Sequence, residues 1–61
     1  MQPTALKRKA IENCHVYFLW KTTEYLGLEW GEHVRKLYIE HLRRRALRTI
    51  RQYKEANQNN H

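Results

Sequence analysis

Apolar residues fall along this chain in two helical rhythms with a glycine-marked gap between them. In the first, Leu6, Ala10, Cys14, Tyr17, Phe18 and Tyr25 recur at helical spacing, with Ile11 beside them. Pro3 suits the first turn, where its missing N–H has no intrahelical partner. Lys7 and Lys21 interrupt the stripe, and the β-branched Thr22 and Thr23 weaken the last turns. The spacing predicts a helix over residues 3–26. In the second rhythm, Val34, Tyr38, Leu42, Ala46, Ile50 and Tyr53 follow at steps of four or three, flanked by Ile39 and Thr49. This predicts a second helix over residues 30–56, with Glu29 and Glu32 at its start, where carboxylates complement the helix dipole.

The segment GLEWG, residues 27–31, holds both glycines of the chain. It predicts a turn, with Gly27 at the C′ position of the first helix. The last five residues, NQNNH (57–61), carry no apolar side chain and read as a disordered polar tail. Two helices and a short turn make an all-α antiparallel hairpin, a single domain over residues 1–56.

One hairpin leaves apolar surface uncovered. Around HVYFLW the side chains point in every direction: Tyr17 and Phe18 lie on the main stripe, Val16 and Trp20 nearly opposite. A helix that is apolar all round needs neighbours on two sides. The expectation is a homodimer of hairpins forming a four-helix bundle, with Val16, Leu19, Trp20 and Trp30 at the interface. The alternative is a three-helix monomer in which Leu26, Leu28 and Trp30 fold back over Val16, Leu19 and Trp20. A chain of 61 residues buries a small fraction of its surface, so self-association is a common remedy. Cys14 is the only cysteine, which excludes an intrachain disulfide and fits a reducing, intracellular setting. The N-terminal residues lead into no secretory apolar region. The longest apolar run, VYFLW, is far too short to span a membrane.

Charge changes the picture most. The chain carries a formal net charge of +6. Between residues 41 and 54 stand Arg43, Arg44, Arg45, Arg48, Arg51 and Lys54, with no carboxylate among them. That one segment equals the whole excess and forms a footprint, not a diffusely basic composition. Arg44, Arg48 and Arg51 share a face distinct from the apolar stripe, with Glu40 and Glu55 continuing the row. A smaller cluster, Lys7, Arg8 and Lys9, begins the first helix and would lie near the same end of an antiparallel hairpin.

Catalytic chemistry finds little support. The chain has four histidines and no aspartate. Cys14 and His15 are sequence neighbours, which on a helix point about 100° apart, and Cys14 reads as a buried thiol on the apolar stripe. Glu29 and Glu32 are explained by their place at a helix start. No CxxC or HxxxH spacing proposes a metal site, and no cofactor is implied. The reading is a non-enzyme.

Guanidinium forks match phosphate geometry, and the basic segment uses arginine over lysine by five to one. A long helix can lay such a row along a duplex backbone. RNA or nonspecific duplex binding is favoured over operator reading, because the arginines sit in the C-terminal half of the last helix. The stretch RRRALRTIRQYKEAN resembles the arginine-rich RNA-binding helices of the lambdoid phage antitermination N proteins. In those, an Arg-rich helix leads into a Gln–aromatic–Lys run whose aromatic residue stacks on a loop base. The resemblance implies backbone contacts from Arg43, Arg44, Arg45, Arg48 and Arg51, and an aromatic element of Gln52, Tyr53 and Lys54. It covers about a quarter of the chain. Its spacing is two residues shorter, the aromatic is Tyr where those proteins have Trp, and Leu47 and Ile50 are apolar. Tyr53 also continues the core stripe from Ile50.

Three rival readings share these residues. A basic row can be a solvated helix face, although mixed signs, as over residues 29–40, would repel less. A small hairpin can also dock a protein partner through Trp20, Leu28 and Trp30, since Trp is enriched at binding hot spots. A basic amphipathic helix can lie on a membrane, but Tyr38, Ala46 and Tyr53 suit a protein core better than acyl chains. The expected partner is therefore RNA or duplex nucleic acid, with a protein partner as alternative and no membrane.

Overall fold

In a computed structural model, which describes residues 3–58, two helices pack side by side as a hairpin. Helix α1 runs Pro3–Thr22, a single 3₁₀ turn runs Leu28–Trp30, and helix α2 runs Glu32–Gln58. The molecule is a rod of 47 × 15 × 14 Å. No helix is long and apolar enough to cross a membrane among the described residues.

The boundaries differ from those expected. Helix α1 stops at Thr22 and not near residue 26. Thr22 turns its hydroxyl back to donate to the Phe18 carbonyl at 2.6 Å. Such back-bonding competes with helix continuation. Gly27 is not the C′ residue of α1. It lies five positions beyond the helix end in the left-handed region, φ 75°, and opens the 3₁₀ turn. Helix α2 starts at Glu32 instead of Trp30 and extends through Gln58, so Asn57 and Gln58 are helical and not part of a frayed tail. Residues 59–61 of that expected tail lie outside the described residues.

The core is narrow. Leu6 and Ala10 from α1 and Leu42, Ala46 and Thr49 from α2 are buried, and no large side chain among the described residues is completely enclosed. The stripe expected on α1 is partly wrong. Ile11, Phe18 and Tyr25 are 59%, 58% and 73% exposed. The reason is angular. Steps of four each overshoot a full turn by about 40°, so Leu6–Ala10–Cys14–Phe18 drifts about 120° around the helix. Alternating steps of four and three drift only about 20° per seven residues, and Leu6, Ala10, Asn13, Tyr17 and Trp20 keep to one side. Trp20 accordingly faces α2, where the sequence reading had set it nearly opposite the core. On α2, Val34 falls outside the core, and Thr49, read as a flank, lies in it.

A polar bridge crosses the core at Thr49. Its hydroxyl donates to the Ala46 carbonyl (2.9 Å) and lies 3.1 Å from that of Arg45. It accepts from Asn13 Nδ2 at 3.3 Å. This places Asn13 level with Thr49 and sets the register of the lower hairpin.

The turn end is held by two devices. Arg35, from the first turns of α2, donates through Nε to the Leu26 carbonyl (2.8 Å) and through Nη2 to those of Trp20 (2.7 Å) and Thr23 (2.9 Å). A cation there satisfies the Trp20 carbonyl in the last turn of α1 and two carbonyls of the segment that follows, and it opposes the negative end of the dipole. Beside it, Trp20 stacks on Trp30 at 5.1 Å, and Tyr38 meets both edge-on at 4.8 and 5.4 Å. Gly27 lies beneath the two indoles, where an added Cβ would stand 2.8 Å from Trp20 and 3.2 Å from Trp30.

Gly27→Ala combines a left-handed backbone with that overlap and is expected to cost about 2–4 kcal/mol. Arg35→Lys keeps the charge but loses the fork, at about 1–2 kcal/mol. The neighbouring Lys36→Ala, which breaks only an exposed pair with Glu32 (3.2 Å), should stay within about 0.5 kcal/mol. Thermal unfolding followed by circular dichroism ranks the three. Equal melting points for Arg35→Lys and Lys36→Ala would refute the capping role.

Candidate nucleic-acid interface

The 27 residues of α2 form one continuous helix, and its inner face is set by Leu42, Ala46 and Thr49. That rotation decides where every cation points. Arg43, Arg44, Arg45, Arg48, Arg51 and Lys54 are all exposed. With Thr49 inward, Arg51, Arg44 and Leu47 fall on the opposite side, with Arg48 and Arg45 on one flank and Arg43 and Lys54 on the other.

The arginines are not equivalent. Glu40, which precedes the basic stretch as Glu55 follows it, takes Arg43 side-on, with Nη2 at 2.9 Å from Oε1 and Nε at 3.1 Å from Oε2. It also meets Arg44 through Nε at 3.3 Å. Arg45, Arg48, Arg51 and Lys54 have no ion pair among the described residues. Hydrogen bonding from Arg43 holds the Glu40 carboxyl below the usual glutamate range, local desolvation opposes this, and the charges of Arg43 and Arg44 add to the lowering. The same hydrogen bond raises Arg43 above its ordinary value.

Two open grooves follow the row. One, about 350 Å³, is lined by His41, Arg44, Arg45 and Arg48. The other, about 290 Å³, is lined by Arg44, Leu47, Arg48 and Arg51. Arg44 and Arg48, one turn apart, form the ridge between them. Such concave, cation-lined surfaces suit anionic oxygens, which several donors can approach at once.

Lys7, Arg8 and Lys9 are exposed on α1. The Asn13–Thr49 register sets them near the level of Tyr53 and Lys54. They share an end of the rod with the α2 cations but line neither groove; Lys7 and Arg8 border a separate shallow hollow with Thr4, Ile11 and Glu12. Of the residues read as an interface, Val16 and Trp20 are half-buried and Leu19 is exposed. Trp20 is committed to Trp30 and Tyr38 within the chain. Trp30 remains 42% exposed and Leu28 66%. Tyr53 is half-buried, and Cys14 is a half-buried free thiol. No group of three or more metal-ligating side chains converges among the described residues.

Two features escaped the sequence reading. Glu40 was placed in the basic row, but its spacing of three to Arg43 and four to Arg44, which signals pairing, was not used. The second is His41, which the basic row left out. Its spacing of three, four and seven to Arg44, Arg45 and Arg48 is the signal that puts it in their groove.

The Glu40 carboxyl should titrate below the ordinary glutamate range, and Arg43→Gln should return it toward that range. Carbon-detected NMR titration of the side-chain carboxyl checks this. A lowered pKa means that the pair's small stabilisation is present above the ordinary glutamate value and is lost as pH falls through the lowered one. An unmoved Glu40 in Arg43→Gln would show that the pair does not persist in solution. The chain matches no protein-family model, and neither a curated protein nor a solved structure matches it.

Proposed function

We propose that this protein binds RNA or duplex nucleic acid without catalysis, through the arginine-rich side of α2, and works as a dimer of hairpins. One observation carries the reading: Arg44, Arg45, Arg48, Arg51 and Lys54 stand exposed along one helix, and among the described residues the only ion pairs in that stretch are those of Glu40 with Arg43 and with the edge of Arg44. Uncompensated like charges on adjacent turns repel, and a phosphate backbone relieves that repulsion. Arg43, with its fork on Glu40, falls outside the proposed contact set. Lys7, Arg8 and Lys9 extend the positive end of the rod and add to the field that draws a polyanion.

Exposed apolar side chains support the dimer. Ile11, Phe18 and Leu19 on α1 stand in solvent, and a second hairpin would cover them. Sedimentation at high micromolar concentration should give twice the chain mass of 7.6 kDa. A compact monomer there would refute the bundle.

The reading is tested by fluorescence anisotropy of labelled double-stranded RNA, single-stranded RNA and double-stranded DNA. Affinity should fall steeply from low salt to about 300 mM, because each phosphate neutralised adds about 0.9 to the negative log–log slope on a duplex. The double variant Arg48→Glu, Arg51→Glu should lose binding with an unchanged circular dichroism spectrum. A folded double variant that binds like the wild type would overturn the proposal.

A second reading has its own observation. At the turn, Tyr25, Leu28 and Trp30 are exposed beside Glu24, Glu29 and Glu32. This apolar, acidic tip supports docking to a protein, and such docking would be insensitive to salt by comparison.

A further inference from the structure

We infer that His41 is a nucleic-acid contact, and that one backbone phosphodiester sits in the groove formed by His41, Arg45 and Arg48 with Arg44 at its rim. The inference rests on the nucleic-acid reading above and sharpens it from a charged face to a defined seat.

Four side chains at spacings of three, four and seven line this groove, and all of them can carry positive charge. Their convergence matters more than their number. Cations spread around a helix each meet a different part of the ligand, whereas donors lining one concavity can share a single phosphate. Arg45 and Arg48 bring guanidinium groups that have no ion pair among the described residues. Arg44 gives only its Nε edge to Glu40, at 3.3 Å, and keeps its outer nitrogens.

His41 is held in place before any ligand arrives. Its ring stacks over Tyr38, with centroids 6.3 Å apart and planes 26° apart. Tyr38 is itself wedged edge-on against Trp20 and Trp30. The cluster that fastens the turn therefore also fixes one wall of the groove, which lowers the ordering cost of binding. A neutral imidazole donates one N–H to a phosphate oxygen, and an imidazolium adds charge to the same contact. Arg43, on the opposite flank and tied to Glu40, lies outside the seat.

Charge-matched variants separate a seat from a diffuse cationic face. Arg45→Gln and Arg43→Gln remove the same charge from positions two residues apart, and both sites are exposed, so neither should unfold the hairpin. With labelled duplex RNA at low salt, Arg45→Gln and His41→Gln should each weaken binding about ten- to fifteenfold, the lower end for a charge-assisted hydrogen bond. Arg43→Gln should stay within about twofold, as for loss of an exposed ion pair. Circular dichroism confirms that each variant is folded. Should His41→Gln loosen the turn, the comparison of Arg45 with Arg43 still decides. Equal losses from Arg45→Gln and Arg43→Gln would overturn the seat and leave the nucleic-acid reading standing. A wild-type protein that binds none of the RNA or DNA probes would overturn both.

Discussion

Arg35 is the residue on which the rest of the structure leans. The hairpin's interior is too small to set its own register, because Ala10 and Ala46 offer little for one helix to catch on the other. The fixed point lies at the turn. One guanidinium from α2 reaches three carbonyls from the end of α1 and the residues after it, and it joins the second helix to the end of the first. Trp20, Trp30 and Tyr38 close over the same corner, and Gly27 leaves room for them. Pinned there, the two helices meet again at Asn13 and Thr49 and a last time around Leu6.

Fixing the register also fixes the rotation of α2, and this links stability to the proposed function. With Leu42, Ala46 and Thr49 turned inward, Arg44 and Arg51 face away from α1, and Arg43, Arg45 and Arg48 stand on the flanks of α2. They stand on one continuous helix, so their spacing along the rod is regular. Glu40 then divides them into a pair that is partly neutralised and a set that is not. Tyr38 belongs to both regions, with its ring edge in the aromatic cluster and its face beneath His41.

The balance of buried and exposed apolar surface bears on assembly in the same way. Steps of four carry Phe18, and with it Ile11, off the contact face of α1. They form a flank that the single hairpin leaves wet. A rod 15 Å thick cannot enclose side chains on two flanks of one helix. The proposed dimer would lay a second copy along that flank and bury them.

Local pattern alone determined the two helices, the turn at the glycine pair, and the separation of an arginine row from an apolar stripe. Helical periodicity, the left-handed preference of glycine and the spacing of charges are properties of neighbours in sequence. The Glu40 pairs and the place of His41 were legible by the same rule, at three, four and seven residues. Other features were decided only by tertiary structure: where α1 ends, which of its faces is inside, and what Arg35 does. The carbonyls that hold Arg35 belong to backbone, which is identical at every residue and carries no signal in the sequence. The inner face of α1 was ambiguous because two stripes, one drifting fast and one slowly, both pass through Leu6 and Ala10. Only the packing of Trp20 and Asn13 against a second helix chose between them.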